Sequence, residues 1–284
     1  MLDVSRSGYY EWQTRCQQLD PDTVALETAA RAAHARGRES YGAKRLRSEF
    51  AEMGYPRSLS AIKRMRARLG LRCRHRRRFV RTTDSNHTLP IAPNLLEQRF
   101  DCATAPNQVW VTDITYVPTD EGGLYVAAIK GLFNKKIVGW AMEDHMRTEL
   151  VSQASWMAVK QERPKHGLIH RSDLGGQYAN QDYRQQLIQF GMAASMSRRG
   201  NCDDNAPMES FWASLKKEKE QVHHQENRTR VEARADIFDY IESFYAPQEV
   251  PLGDNTIRRH SALGNQSPMD FNAAFMRQSK KAES

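Results

Sequence analysis

The chain has 284 residues and a formal net charge of +8, a length sufficient for one core of ordinary domain size and one or two smaller modules. No stretch approaches the roughly 20 consecutive apolar residues of a membrane helix, and the first residues lack the apolar core of a signal peptide, so we expect a cytoplasmic protein. The cysteines Cys16, Cys73, Cys102 and Cys202 are scattered without a CxxC pair, which argues against structural zinc and against a disulfide framework.

The excess positive charge lies in the N-terminal third of the chain. Residues 1–100 contain 20 Lys and Arg against 10 Asp and Glu, whereas residues 101–284 contain 22 against 24. An arginine run between residues 72 and 81 repels itself unless a polyanion lies nearby, which favours a nucleic acid as partner. A solvated basic surface is the ordinary alternative. The run consists of Arg72, Arg74, Arg76, Arg77, Arg78 and Arg81.

Two short amphipathic helices are predicted between residues 40 and 71, separated by Gly54-Tyr55-Pro56. Ser58 or Ser60 is a suitable N-terminal cap for the second helix. The pattern indicates a helix-turn-helix within a basic helical region of residues 1–81, although any small helical hairpin with a basic face gives the same pattern. The predicted DNA contacts are Lys63, Arg64, Arg66 and Arg68 on the second helix and Arg74, Arg76, Arg77 and Arg78 in the arginine run.

An α/β core is predicted after this basic region. Residues 82–107 contain three prolines and no sustained periodicity, so we expect a linker there. The runs VWVTDITYV, LYVAAI and KIVGWAM that follow are rich in β-branched and aromatic residues, which indicates an antiparallel meander. The order βββαβαβ then places a core over 108–225 and a C-terminal helix and tail over 226–284. The later core elements are expected at 148–162 (helix), 167–170 (strand), 181–190 (helix) and 192–196 (strand).

Three acidic residues occupy positions suited to metal binding. Asp113 lies in the middle of the first strand, where a carboxylate among valines is costly unless it is paired, hydrogen-bonded or bound to a cation. Asp173 follows a strand, and two glycines just beyond it let the backbone pass close to a ligand. Glu209 falls in the first turn of a helix that begins near Pro207. Singly, each has an ordinary alternative: a strand-edge polar residue, a turn former and an acid favoured by the helix dipole.

The helix that carries Glu209 is predicted to be amphipathic, with Asp204 or Asn205 as its cap. Glu209 and Lys216 lie together at the border between the buried and the exposed face. A carboxylate and a cation on one border suit a metal ion and a DNA phosphate respectively. The apolar stripe of the helix is Met208, Phe211, Trp212 and Leu215.

The combination of the three acids is more specific than any one of them. Asp113 and Asp173 are separated by 59 residues, and Asp173 and Glu209 by 35. The segments VWVTDITYV, HRSDLGGQYAN, DDNAPMESFWASLKKE and RRHSALGNQSP closely resemble the OrfB-type transposases of bacterial insertion sequences, which belong with the retroviral integrases to the DDE superfamily. The resemblance covers nearly the whole chain, from VSRSGYYEW onward.

This resemblance implies an RNase H-like core, in which a mixed five-stranded sheet flanked by helices brings Asp113, Asp173 and Glu209 together. It implies that the acids hold two Mg²⁺ ions, with Mn²⁺ as a substitute, for cleavage of the element's 3′ ends and strand transfer into target DNA. Lys216 and Lys217 would contact DNA, and the basic N-terminal region would hold the terminal inverted repeats. A homo-oligomer on nucleoid DNA and a fusion or partner from the upstream reading frame (OrfA) are also implied.

One departure from the family pattern concerns residues 246–254, APQEVPLGD, which form a nine-residue insertion. If the preceding helix is continuous in relatives, the insertion would displace DNA contacts of the segment Arg258-Arg259-His260.

Two other functions fit part of the pattern. A non-catalytic DNA-binding regulator needs the basic region but not the acids, and a hydrolytic nuclease of the RNase H type cuts without joining strands. The three acids together with the basic module favour the transposase.

Overall fold

We describe the protein from a computed structural model, in which residues 5–17, 21–73, 89–198, 202–222, 229–245 and 257–282 are described. The chain divides into two compact units, Met1–His75 and Arg76–Ser284. None of the helices in the described ranges is long and apolar enough to cross a membrane.

The first unit is helical. Its elements are α1 (Arg6–Gln17), α2 (Pro21–Arg36), α3 (Ala43–Glu52) and α4 (Leu59–Arg68). The last two confirm the predicted helices, because their apolar stripes are buried together in one cluster that includes Leu46, Phe50 and Ile62. Ser58 caps α4, as predicted, by accepting a hydrogen bond from the backbone N–H of Ala61 at 3.3 Å.

The second unit is built on a mixed five-stranded sheet in the order β3-β2-β1-β4-β5. The first three strands pair as the predicted antiparallel meander, and β4 and β5 add in parallel on the other side of β1. The sheet is the one that the family resemblance implied. Its strands are β1 (Val109–Thr119), β2 (Gly122–Gly131), β3 (Ile137–Glu143), β4 (Ile169–Ser172) and β5 (Ala193–Met196), and β4 begins two residues later than predicted.

Helices cover both faces of this sheet. One face packs against α8 and α9, and the other packs against α5 and α7. Gly139 on β3 allows α5 to approach closely, because a side chain there would collide with backbone atoms of Ala154 and Ala158. The helices of the unit are α5 (Thr148–Glu162), α6 (Gly176–Ala179), α7 (Gln181–Gln189), α8 (Ala206–Val222), α9 (Arg230–Asp239), which continues as a π-helix (Tyr240–Tyr245), and α10 (Pro268–Ala282).

The packing of the second unit differs from the predicted domain boundaries. Residues 89–107 belong to the predicted linker, yet Ala92 and Leu96 are buried in the core clusters of this unit. The region predicted as a separate C-terminal part contributes Ile237 and Tyr240 to the same core as β1. Non-periodic segments bury apolar side chains without leaving a helix or strand pattern in the sequence.

A lysine is buried in the central sheet. The Lys130 side chain on β2 donates a hydrogen bond from Nζ to the carbonyl of Pro207, 3.1 Å away in the first turn of α8. Burial, with smaller contributions from the nearby cations Lys135 and Arg258, lowers the pKa of Lys130 to about 7. The charged form of Lys130 therefore costs folding free energy at neutral and acidic pH.

We expect Lys130→Met to raise the free energy of unfolding at pH 6, by on the order of 2 kcal/mol. The folded pKa lies below the unfolded value of about 10.4, so the unfolded chain binds more protons between the two pKa values. The destabilisation is thus fully present below pH 7 and fades as the pH rises toward 10. Urea unfolding at pH 6, 8 and 10 measures the trend. A variant less stable than the parent by the same amount at every pH would contradict it.

Candidate active site

Asp113 lies in the middle of β1, on the sheet face that packs against α8. Its Oδ2 accepts a hydrogen bond from Trp212 Nε1 at 3.1 Å, and its Oδ1 accepts one from the backbone N–H of Ile114 at 2.9 Å. Its pKa is raised well above the usual range, by burial first and then by the charge of Asp173, with a smaller contribution from Glu209. The two hydrogen bonds oppose this rise.

Asp173 follows β4 directly, so the sheet register brings it to the same region. Val111 of β1 pairs with Arg171 of β4 in the parallel ladder, and two residues further along each strand stand Asp113 and Asp173. Asp173 Oδ1 accepts a hydrogen bond from the backbone N–H of Gly175 at 2.9 Å. A side chain at Gly175 would crowd this oxygen, as its first carbon would lie 3.0 Å from it.

Glu209 is exposed in the first turn of α8. Its charge contributes to the raised pKa of Asp113, although 95 residues separate the two acids in the chain. The burial of α8 explains this position, because the predicted stripe turns one side of the helix into the core and leaves Glu209 at its edge. The buried stripe is Met208, Phe211, Trp212 and Leu215.

The three carboxylates are more widely spread than the ligands of one ion. Within the described residues, the one group of three or more potential metal ligands whose ligand atoms all lie within 4.8 Å of one another is Glu143, Asp144 and His145. In that group Glu143 and Asp144 form ion pairs with arginines of α9, at 3.8 Å and 3.6 Å.

A small pocket opens beside Asp113 and Asp173. Gln177 is held in its wall, because Nε2 donates to the carbonyl of Met146 at 2.9 Å. The Tyr178 hydroxyl lies 3.3 Å from Thr112 Oγ1, and burial together with the charges of the two acids raises the pKa of Tyr178 well above its usual value. The pocket is lined by Asp113, Ile114, Met146, Asp173, Gly175, Gln177 and Tyr178.

The start of α8 is fixed by a buried ion pair that the sequence pattern did not reveal. Asp204 had been expected as a helix cap, but Arg171 Nε donates to its carbonyl at 2.9 Å and Arg171 Nη2 lies 3.4 Å from its Oδ2. Hydrogen bonds from Arg198 lower the pKa of Asp204 to about 2. The other expected cap, Asn205, has no hydrogen-bond partner for its Oδ1 among the described residues. The pair ties β4, which precedes Asp173, to the turn that precedes Glu209.

The predicted DNA-contacting residues differ in exposure. On α4, Lys63 and Arg64 are exposed, whereas Arg66 is half-buried with Nη2 3.4 Å from Cys73 Sγ, and Arg68 forms an ion pair with Glu27 at 2.7 Å. On α8, Lys216 is exposed and Lys217 is half-buried. The remaining predicted contacts, Arg74, Arg76, Arg77 and Arg78, lie outside the described residues.

Comparison with known proteins shows which family the chain belongs to. A family model described as "Integrase core domain" matches residues 103–202. The chain is 48% identical over 276 residues to the "Insertion element IS600 uncharacterized 31 kDa protein" of Shigella sonnei, with 97% of each chain covered. It is 38% identical over 275 residues to "Transposase InsF for insertion sequence IS3A" of Escherichia coli (strain K12), with 95% of this chain and 91% of that one covered.

Among solved structures, the HTLV-2 integrase catalytic core domain in complex with magnesium matches with a TM-score of 0.43 at 12% sequence identity, over 60% of this chain and 99% of that chain. A helix-flanked mixed sheet and the integrase-core match define an enzyme of the DDE integrase superfamily. The chain belongs to the insertion-sequence transposases of this superfamily.

Replacement of Asp113 by Asn is expected to raise the melting temperature in EDTA at pH 7.5, by roughly 2–4 °C for each kcal/mol of repulsion removed. The pKa of Asp113 is higher in the folded state, so the folded protein binds more protons above pH 4 and its stability falls as the pH rises toward that raised pKa. The Asn variant should lack this fall.

The measurement is thermal unfolding between pH 5 and pH 8. Asp144→Asn is the matched control, since Asp144 belongs to the other acidic group and is 54% exposed. An Asp113→Asn protein with the parent's pH dependence would show that the carboxylate carries no such penalty.

Proposed function

We propose that Asp113, Asp173 and Glu209 are the catalytic residues of this transposase and that they bind two divalent metal ions, Mg²⁺ in the first place and Mn²⁺ as a substitute. The observation that supports this most directly is the raised pKa of Asp113, two causes of which are the charges of the other two acids. Acids gathered in this way repel one another until a cation arrives, and a paired structural carboxylate would show the opposite shift.

The chemistry of the donor set fits such ions. Carboxylate oxygens are the hard ligands that Mg²⁺ and Mn²⁺ prefer. When bound, the two ions activate the attacking oxygen and stabilise the leaving oxygen of an in-line phosphoryl transfer. Asp113 and Asp173 are held in position by donors from Trp212 and Gly175, while Glu209 is exposed at the rim. Asp113 and Asp173 would thus be fixed ligands, and Glu209 would complete the metal site from the rim. This arrangement suits a metal site that assembles when the DNA substrate binds.

The proposed reaction has two steps at the same site. Water attacks the phosphorus at the end of the element, the bond from that phosphorus to the element's 3′ oxygen breaks, and a 3′ hydroxyl is released. This hydroxyl then attacks a phosphorus of the target DNA, so that a new P–O bond forms and a target 3′ oxygen leaves. Neither step needs a covalent bond to the protein.

The proposed partners are the terminal inverted repeats and the target DNA. Lys216, two helical turns from Glu209 on α8, and Lys217 would contact DNA phosphates beside the acids. In the first unit, Lys63 and Arg64 are the better candidates on α4, because Arg66 and Arg68 already have partners within the unit. We further propose a homo-oligomer on nucleoid DNA and a contribution from the upstream reading frame.

The chain is expected to nick and join labelled DNA that bears the element's ends only when Mg²⁺ or Mn²⁺ is present. Asp173→Asn and Glu209→Gln should each reduce the products by on the order of a hundredfold or more, since loss of a ligand exceeds the 10–100-fold effect typical of outer-shell changes. Both variants should still bind the DNA.

Other outcomes of this assay identify the alternatives. Binding without metal-dependent cleavage, with any upstream-frame partner present, would favour a regulator derived from a transposase. Cleavage without joining would favour a hydrolytic nuclease. If Asp173→Asn and Glu209→Gln both still yield the cleaved and joined products, the three acids are not the catalytic residues.

The double variant Lys63→Ala/Arg64→Ala is expected to weaken binding to the element's ends and to reduce the slope of log K against log salt by about 2, because each phosphate contact contributes about 0.9. Arg31→Ala/Arg36→Ala is the matched control, since it removes the same charge from exposed positions of α2 in the same unit. Equal losses of slope in the two double variants would attribute binding to general basicity rather than to the α4 face.

A further inference from the structure

Arg258 does not lie on the surface, where a DNA contact of the segment Arg258-Arg259-His260 would have to be. It is 4% exposed, and its guanidinium contacts α8. Nε donates to Glu218 Oε2 at 2.7 Å, and Nη2 donates to Ser214 Oγ at 2.9 Å. Ser214 and Glu218 are four residues apart and therefore stand on the same face of the helix, one turn from each other. One arginine side chain thus bonds to two successive turns of α8.

The carboxylate of Glu218 has a second partner in the core. It also accepts a hydrogen bond from the Tyr240 hydroxyl at 2.7 Å, and Glu218 and Tyr240 are both buried. Burial is the largest single influence and would by itself lower the pKa of Arg258, but the charge and hydrogen bond of Glu218, together with Tyr240 and Tyr245, outweigh it and raise the pKa. Removal of one charge from such a pair leaves the other buried without compensation.

The position of Arg258 is also fixed from the backbone side. Its N–H donates to the carbonyl of Phe244 at 2.6 Å, and the His260 ring packs edge-on against Tyr245 with 4.6 Å between ring centroids. Arg258 is therefore anchored to the π-helix that follows α9 as well as to α8.

We propose that Arg258 is a positioning residue for catalysis: it holds α8 in the register that brings Trp212 and Glu209 to Asp113. The proposal rests on the assignment of the three acids made above. Trp212 and Glu209 precede Ser214 by two and five residues, which is about 3 Å and 7.5 Å along the helix axis. A shift of α8 that the Arg258–Glu218 pair resists would therefore move both of them relative to the sheet.

Two rival roles for Arg258 make different predictions. A DNA contact would lose affinity on substitution and reduce the salt slope by about 1. A contact that only stabilises the fold would lower the melting temperature without altering the dependence on metal. A positioning role alters the dependence on metal and leaves DNA affinity and its salt slope unchanged.

The experiment compares the parent chain with Arg258→Met, Arg258→Lys and Glu218→Gln. Lys136→Met is the matched control, because it breaks a partly buried ion pair with Glu162, 2.6 Å long, that does not involve α8. The readouts are the Mn²⁺ concentration for half-maximal cleavage, the binding of end DNA at several salt concentrations, and the ¹⁹F resonance of Trp212 in 5-fluorotryptophan-labelled protein, assigned with Trp212→Phe.

Arg258→Met and Glu218→Gln should raise the half-maximal Mn²⁺ concentration about 10–100-fold, the range for residues that orient metal ligands. Arg258→Lys should recover part of this loss, and Lys136→Met should show none of it. Affinity for end DNA should stay within about twofold, because no phosphate contact is removed. If Arg258→Met fails to fold, Arg258→Lys and Glu218→Gln test the proposal instead, since each of them keeps a polar side chain at the substituted position.

The fluorine signal separates this proposal from the assignment of the acids. In metal-free protein the Trp212 resonance reports its hydrogen bond to Asp113, so a shifted or broadened resonance in Arg258→Lys or Glu218→Gln supports positioning even if the parent fails to cleave DNA. A parent without metal-dependent cleavage would overturn the catalytic assignment instead. An unchanged Trp212 resonance together with an unchanged metal dependence, or a loss of salt slope, would overturn the role of Arg258.

Discussion

The repulsion between Asp113 on β1 and Asp173 just beyond the end of β4 is a constraint that the packing of the second unit has to offset. The pairing of β1 with β4 puts Asp113 and Asp173 at neighbouring positions, where burial and mutual repulsion raise the pKa of Asp113. Such an arrangement costs folding free energy, so its persistence needs stability from elsewhere. The sheet supplies it, because apolar side chains fill both of its faces and helices cover them. The well-packed sheet can carry the electrostatic cost at Asp113 because the cost is local and the burial is spread over the whole unit.

The third acid, Glu209, lies on α8. This helix has to be held in one register on the sheet if Glu209 is to stay near Asp113. Apolar packing alone restrains sliding poorly, since a stripe of similar side chains fits in more than one position. Directed polar contacts just before α8 and along it help to fix its register. Trp212 donates to Asp113, Asp204 just before the helix pairs with Arg171, and Glu218 pairs with Arg258. Each partner comes from a different part of the chain, so the place of Glu209 depends on the whole second unit rather than on the helix that carries it.

The sequence predicts helices and strands, which depend on local periodicity. It does not predict contacts between residues that are far apart in the chain. Alternation and helical spacing predicted the meander, the helix Thr148–Glu162 and the buried stripe of α8, and these are confirmed. The three acids could be named because their local contexts resemble one family, and their roles stay a prediction. No local pattern distinguishes an arginine for DNA from an arginine for the core, so the inward positions of Arg171 and Arg258 could not be foreseen. Within the predicted linker over 82–107, Ala92 and Leu96 lie in the core, and the sequence does not indicate this because the apolar side chains there follow no period.

The same contacts bear on the insertion at residues 246–254. Phe244 and Arg258 flank it, and they are joined by a backbone hydrogen bond of 2.6 Å. The chain on either side of the insertion therefore meets at one point of the core, and extra residues between the two ends need not change the distance that the ends span. Lengthening such a connection costs only about 0.6 kcal/mol per doubling of its length. Because Arg258 contacts α8 from this anchored end, the arrangement around Glu209 is insulated from the length of the insertion.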